Sequence, residues 1–445
     1  MKEFNFACSV PVIAEYDVVV IGGGPAGICA SVSASRMGVS TLLVERHGVL
    51  GGNLTTGYIC PILGKVSKGT MFDEIEALLS ENHKDAREVI TRNGKEIHID
   101  PEEAKQILTK FVSDNGVTFM LSTALSDIVS DENVHTVILT TQKGLCAVEA
   151  KVVIDCTGDG QAAVLAGAEY KVGRDSDGRV QPCTLEFTVT DVDESIAITA
   201  WGGSDPVKIP AGEFEGMEYR ELCKLKNREG ELPENVTIVR LHRTFYDGER
   251  SVNATQINGI DGTCPFDVAR AEVDLRQQIT LCHNFLKNYV PGFENCTVKG
   301  SASSLGIRET RRIVGLDSVT DTDVENGTKR DDVIVHNAWF LIDIHNPAGG
   351  GQAEGHSQPA KPYDIPFGAI IPKSTHNILT AGRCISGTHR AHASYRVMVI
   401  CMATGEAAGI AAALAVKNSR EVASLNATDV QAVLKARGVV LKDNA

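Results

Sequence analysis

The twelve cysteines of this 445-residue chain never fall into a CxxC pair. That absence disfavours a zinc ribbon, a thioredoxin-type dithiol and a close-spaced iron–sulfur site. Cysteines this scattered read as buried thiols in a reducing compartment. Aromatic residues are scarce at 5 %, whereas glycines number 42, which suits many tight strand–helix turns and close backbone packing. Positive charge is in deficit: 43 Lys and Arg face 57 Asp and Glu, a net charge of −14. An acidic surface repels phosphate backbones, so no nucleic-acid partner is expected. The first residues, MKEFNFACSVPVIAEYD, lack the apolar stretch of a secretory signal, and the expectation is a cytoplasmic protein. No internal repeat or low-complexity segment is visible. With 43 % hydrophobic and 22 % charged residues, disordered and fibrous classes are excluded.

Long uncharged runs are few, and both carry arguments against spanning a membrane. Val18 to Ser35 contains GGGP, which breaks any such helix. Val397 to Val416 has Glu406 as its only charge and includes Gly405 and Gly409 in a GxxxG, a dimer signal in lipid. Its many Ala and Gly residues argue instead for a soluble helix pressed against a sheet and a ligand, so no membrane partner is expected.

What is present begins with a buried strand, Tyr16 to Ile21, followed by glycines, a helix from Ala26 to Met37 and a second strand, Ser40 to Val44. This βαβ pattern predicts a parallel sheet. Further helices are expected over Thr70–Ser80 and Pro101–Asn115, a strand over Val117–Leu121 and a small antiparallel meander over Ser126–Val153. The buried strand VVIDC ends at TGDG. From about Tyr170 to Asp343 extended segments mix with polar loops and one long helix, Asp267–Lys287, and read as an inserted lobe. Near Asn377 the buried-strand pattern returns, followed by the Ala/Gly helix from Arg396 and a capped tail helix, Asn426–Arg437.

Gly22-x-Gly24-x-x-Gly27 stands directly after a buried strand and opens a helix. The first glycine permits the turn, the second lets the backbone approach a diphosphate, and the third lets helix and strand pack closely. The diphosphate then meets the free N–H groups and positive dipole end of the helix. Glu45, eighteen residues beyond Gly27, stands where a carboxylate binds ribose hydroxyls and repels a 2′-phosphate. Gly51-Gly52-Asn53 gives a second close backbone approach to a ligand longer than its adenosine half, which points to FAD; an ordinary glycine turn is the alternative.

Asp159, in the turn TGDG, either bonds the cofactor or caps the helix that follows. The stretch Ala381-Gly382-Arg383-Cys384, with the helix start near Arg396, repeats the strand–turn–helix logic, and a positive helix end there would stabilise a reduced flavin. Leu305-Gly306-Ile307-Arg308-Glu309-Thr310-Arg311-Arg312 gathers three arginines around one carboxylate, as either an ion-pair network or an anion clamp. His345, in IDIHNP, either faces the active site or is structural. Cys60 and Cys384 read as packing thiols. A second GxGxxG is absent, so no separate NADPH domain is evident.

Together these stretches resemble the FAD-dependent oxidoreductase family of flavoproteins. The resemblance runs through YDVVVIGGGPAGICAS, LLVERHGVLGGNLTTG, VVIDCTGDGQAAVLAGA, QPCTLEFTV, LGIRETRRIVG, LIDIHNP and NILTAGRCISGTHRAHASYRVMVICMATGEAAGIAAALA. It implies an α/β fold: a Rossmann-like, glutathione-reductase-like FAD-binding domain over 1–60, 100–170 and 365–445, with an α+β substrate domain over 61–99 and 171–364. By motif, Gly22, Gly24, Pro25 and Ala26 would hold the diphosphate, and Glu45 and Arg46 the adenosine side. Gly51, Gly52 and Asn53 would run toward the flavin, and Leu125 would meet the adenine through its backbone. Thr157, Gly158 and Asp159 would flank the cofactor. Gly382, Arg383, Arg396, Val397 and Met398 would sit beside ribityl and ring. Many related reductases carry an acid where this chain has Arg383.

The expected function is hydride transfer between flavin N5 and a small, anionic organic substrate. His345 or His389 would move the proton and Arg308 would orient or stabilise charge. The alternative is a flavin-binding electron-transfer subunit serving a protein partner, which would leave an open apolar patch at the flavin edge rather than an enclosed polar pocket.

Overall fold

The computed structural model describes residues 4, 7–80, 88–91, 94–131, 134–200, 206–244, 246–349 and 359–442. Five parallel strands form its first sheet, in the order Thr118–Met120, Thr41–Val44, Val12–Ile21, Gly144–Asp155, Ile378–Thr380. Except at the edge strand Thr118–Met120, their cores are apolar and buried on both faces, as expected of parallel strands between helices. Val18, Val20, Leu43 and Ile154 point into one apolar cluster; Val19, Ile21, Leu42 and Val153 point into another. Side chains alternate along a strand, so one short run supplies both layers. Fully burying each such residue contributes about 1.5–3 kcal/mol.

The first face is covered by the helices Pro25–Arg36, Pro101–Asp114 and Met398–Lys417. The second is covered by an antiparallel ribbon, Ala124–Ser130 with His135–Thr141, which hydrogen-bonds to the first half of Gly144–Asp155, and by the short helix Gln161–Leu165. Met398–Lys417 is long and apolar enough to cross a membrane, yet it is buried on every side within this fold. Its GxxxG serves helix packing here. A Cβ on Gly405 would lie 2.1 Å from the Ala26 carbonyl oxygen, and one on Gly409 2.1 Å from that of Ala30. The two glycines let this helix touch the backbone of Pro25–Arg36.

A second, four-stranded antiparallel sheet has the order Arg240–Arg243, Arg250–Asn253, Phe187–Thr190, Thr297–Ser301. Phe187, Val189, Leu241 and Val252 share a separate apolar cluster with Leu275, Phe285 and Leu286 of the long helix Pro265–Tyr289. That cluster draws only on residues from 183 to 302. Val319, Val335, Ile342 and Ile370 instead join the cluster under the first sheet. The lobe with its own core is therefore shorter than the Tyr170–Asp343 stretch whose texture changes in the sequence.

Candidate active site

Each glycine of the opening motif has a distinct spatial duty. Gly22 has φ +102°, and a Cβ there would lie 2.5 Å from the Cys156 carbonyl oxygen. A Cβ on Gly27 would lie 1.7 Å from the Gly22 carbonyl oxygen. Gly24 is different: its backbone is extended, and a Cβ would find only the Gly52 Cα, at 3.9 Å. The space above Gly24 is open. Pro25 takes the first helical position and no side chain caps the helix, so its first N–H groups are left for a ligand.

That helix end opens into a cleft of about 330 Å³. Gly22, Gly24, Pro25, Ala26, Glu45, Arg46, Gly52, Asn53, Leu125, Thr157, Gly158, Gly382, Arg383, Arg396 and Met398 all line it. Residues from five separate stretches of chain thus meet at the carboxyl ends of the parallel strands, where open α/β sheets bind ligands. The Glu45 carboxylate is buried at the rim and accepts hydrogen bonds from the backbone N–H groups of Gly23 (2.5 Å) and His47 (2.8 Å). Those bonds fix its orientation and leave further lone pairs for a ribose. The Leu125 carbonyl accepts a bond from the Gln161 side chain at 3.2 Å.

Three of the expected cofactor residues do not line the cleft, and neither do the expected catalytic residues Arg308, His345 and His389. Gly51, at φ +109°, lies behind it and donates to the Gly23 carbonyl, so it shapes the turn. Val397 packs toward Gly64. Asp159 is held by other groups: its carboxylate accepts from Arg383 at 2.7 Å and from the Thr310 hydroxyl at 2.9 Å. Burial pushes this acid up, but Arg383 and Thr310 outweigh that and hold it below the usual range. The basic residue at 383 therefore has its counter-charge in the chain itself.

Two further expectations need correction. Arg396 does not begin the long helix; it closes a short one, His389–Tyr395, and the long helix begins at Met398. The three arginines of GIRETRR do not surround one carboxylate. Glu309, fully buried, pairs with Arg312 and with His389 Nδ1 (2.9 Å), while Arg311 lies over the Tyr170 ring. Arg308 donates to the Pro182 carbonyl at 2.7 Å. His389 is thus part of a buried ion-pair network and is not among the cleft-lining residues.

Next to the cleft lies a second constellation, which the sequence indicated only in part. Arg396 reaches from the cleft to Asp343, donating to its backbone carbonyl at 3.1 Å, with the carboxylate at 3.6 Å. His345 Nε2 is 3.3 Å from the same carboxylate, and its Nδ1 has no partner among the described residues. Burial and then the nearby Arg308 charge press His345 down to about 4, so the ring is neutral at pH 7. Burial pushes Asp343 up, but His345 and Arg396 hold it well below the ordinary carboxylate range. Burial draws Arg308 down to about 10 and also lowers Arg240 and Arg396.

This cluster backs onto the polar face of the four-stranded sheet. Register and alternation place Glu186, Thr188, Ser251, Asn253, Arg240 and His242 on the face opposite Phe187 and Leu241. The segment after the Gly51-Gly52 turn covers that face: Cys60 lies beside Ser251, and the Tyr58 hydroxyl lies against Gly300. Burial raises the Cys60 thiol to about 12 and lifts Cys384 well above the ordinary range, as expected of packing thiols. Glu186, Arg240 and Asp343 escaped sequence reasoning. The only available signal was a period-two pattern, with Glu186 between Leu185 and Phe187 and Arg240 between Val239 and Leu241. Such a pattern shows a polar face without showing that the face is covered. Thr56, Ser304, Leu305 and Ile307, which also line the cleft, were among those missed.

A larger depression, of about 730 Å³, shares no lining residue with the cleft and runs past Tyr170, Arg179, Asp261 and Arg311. Among the described residues there is no group of three or more His, Cys, Asp or Glu able to hold a metal ion.

Comparison with known proteins follows the same lines. The profile of the family described as FAD dependent oxidoreductase matches residues 17–434. A tRNA uridine 5-carboxymethylaminomethyl modification enzyme, MnmG, of Sulfurihydrogenibium sp. (strain YO3AOP1) is 30 % identical over 161 residues, which is 32 % of this chain and 25 % of that protein. A dihydrolipoyl dehydrogenase of Trypanosoma brucei brucei is 50 % identical over 42 residues, 9 % of each chain. The matched regions thus span a quarter or less of these curated relatives. A geranylgeranyl bacteriochlorophyll reductase-like protein of Thermoplasma acidophilum superposes with a TM-score of 0.50 at 13 % identity, covering 95 % of this chain and 84 % of that one. At that identity the likeness speaks for the fold alone, a mixed α/β architecture with a Rossmann-like parallel sheet.

Proposed function

This chain belongs to the FAD dependent oxidoreductase family, and from that premise we propose that it transfers hydride between flavin N5 and a small anionic organic substrate. It is an FAD-dependent enzyme. The finer glutathione-reductase-like architecture, with 183–302 as a substrate lobe, belongs to the same proposal. The cleft suits the cofactor on its own geometry: an uncapped helix end, open space above Gly24 that a Cβ would fill, and a fixed carboxylate at Glu45.

The observation that carries the substrate reading is a surplus of buried positive charge. Arg240, Arg308 and Arg396 cluster around one ionised carboxylate, Asp343, beside the cleft. Buried charge without a partner is costly, and a substrate anion would offset it. Bound FAD supplies the redox step; the protein's residues supply position and a proton path. Arg240, Arg308 and Arg396 would hold the substrate's charged group. With the Nε2 proton of His345 directed at Asp343, its Nδ1 lone pair is left to take a proton from the substrate. A covered polar face favours this reading over the electron-transfer alternative, which called for an open apolar patch.

The test is anaerobic bleaching of the flavin by paired organic acids and neutral alcohols of similar size. Acids should bleach faster, and His345→Ala should slow bleaching by about 10²–10⁴-fold, the usual contribution of general acid–base catalysis. Neutral alcohols reacting as fast as acids would remove the anionic reading. Wild-type rates in the His345→Ala protein would remove the histidine from the mechanism.

A further inference from the structure

Glu186 is the unusual group of the covered sheet face. Its residue is 5 % exposed, yet its carboxyl forms no hydrogen bond or ion pair with any described residue. Its backbone is tightly held, accepting from the Ala302 N–H at 2.8 Å, so the side chain has a fixed origin. In the sheet register it lies beside Asn253, with Arg240 one strand further on. Arg308 approaches from the loop that closes this face, and Arg240 and Arg308 are the two charges that act on it. One Nη of Arg240 is buried without a partner. Two guanidinium groups thus act on a carboxyl without pairing with it.

We propose that Glu186 determines substrate specificity by donating its carboxyl proton in a hydrogen bond to the substrate's anionic group, with Arg240 and Arg308 holding that group from either side. The inference rests on the anionic-substrate reading above and adds the residue that recognises the anion. A neutral acid is the donor such a site needs: two cations and one O–H complement a carboxylate, whereas an ionised glutamate would repel it. The surroundings keep the proton in place. Burial lifts Glu186 to about 8, overriding the opposing pull of Arg308 and Arg240. The other groups on this face titrate elsewhere. His242 lies near 3, His345 near 4, Arg308 near 10 and Cys60 near 12. Asp343 is ionised throughout the working range. Between about pH 5 and 9 the charge of this face changes through Glu186.

The experiment titrates the FAD-loaded protein with sodium acetate and sodium benzoate as probes, following the flavin difference spectrum at several pH values. The expected affinity is constant up to about pH 7.5 and falls roughly tenfold per pH unit above about 8. Glu186→Gln keeps an N–H donor and the side-chain shape. Its affinity should no longer fall as pH rises above about 8. A persisting alkaline fall in Glu186→Gln, or a flat wild-type profile, overturns the assignment of Glu186 while leaving the anionic site standing. A wild-type holoprotein that binds neither anion overturns the anionic reading itself, and this inference with it. A probe-independent check is the infrared difference spectrum, wild type minus Glu186→Gln. A protonated-carboxyl carbonyl band at neutral pH that disappears at alkaline pH supports the proposal; no such band at neutral pH overturns it.

Discussion

Alanine at Gly24 and alanine at Gly27 should damage the protein in different ways, although the two residues lie three apart in one motif. A Cβ on Gly27 would stand 1.7 Å from the Gly22 carbonyl oxygen, where an ordinary contact is about 3.5 Å. Neither partner is a flexible side chain, so the helix Pro25–Arg36 must retreat by well over 1 Å. That helix carries Ile28, Ala30 and Val32, all essentially unexposed, and its retreat loosens their packing. Overpacking usually costs about 1–3 kcal/mol, and a backbone clash belongs at the upper end. At about 2–4 °C per kcal/mol, Gly27→Ala should melt on the order of 6–12 °C early. Gly24→Ala meets nothing closer than 3.9 Å and sits at an ordinary extended backbone. Its stability cost should stay within about 1 kcal/mol, the size of a helix-cap change. Its methyl group, however, would occupy the approach proposed for the diphosphate. Losing one charge-assisted hydrogen bond there, worth about 1.5–3 kcal/mol, weakens FAD binding by about 10–100-fold. The assay is thermal unfolding of the apoproteins beside FAD titration by flavin fluorescence. Wild-type FAD affinity in Gly24→Ala, or a wild-type melting temperature in Gly27→Ala, would refute the reasoning.

Other consequences follow from the same packing and charge arguments. Gly405→Leu places a side chain against the Ala26 carbonyl, 2.1 Å from where its Cβ begins; the expected result is insoluble or flavin-free protein, and normal yield with full flavin content would contradict the packing account. Glu309→Gln strips the charge shared by Arg312 and His389 in a fully buried network, which should cost about 3–5 kcal/mol in urea unfolding; a change below about 1 kcal/mol would show the network to be dispensable. Acid should destabilise the fold. Burial holds His98 at about 4, His242 at about 3 and His345 at about 4, below the unfolded value of 6.5. Their stabilising effect is complete above that value and is lost as pH falls toward 4, roughly 2 kcal/mol each by about pH 5. Glu186, raised by burial, acts in the opposite sense and regains roughly 2 kcal/mol over the same interval. His392, fully buried, shifts in the same sense as these histidines, so a net loss of stability between about pH 7 and 5 is expected by denaturant titration; equal stability at the two pH values would count against the neutral, buried histidines.

The sequence alone determined the parts of this protein whose physics is local. A β-branched run followed by three spaced glycines specifies a strand, a turn and a close-packed helix whatever the rest of the chain does, and Gly22, Gly24 and Gly27 occupy those positions. Glu45 is legible for the same reason, since a strand of fixed length carries it to the cleft rim. Tertiary structure decided what depends on partners distant in the chain. Asp159 and Arg383 are 224 residues apart, so no spacing shows that each answers the other's charge. GIRETRR reads as one cluster along the chain, but the fold sends Arg308, Glu309 and Arg311 to three different surroundings. Glu186 and Arg240 look like ordinary outward-facing positions of alternating strands. They are enclosed because the segment around Cys60 and the loop at Arg308 cover their side of the sheet, and a period-two pattern records which face a residue is on but carries no information about what lies over it.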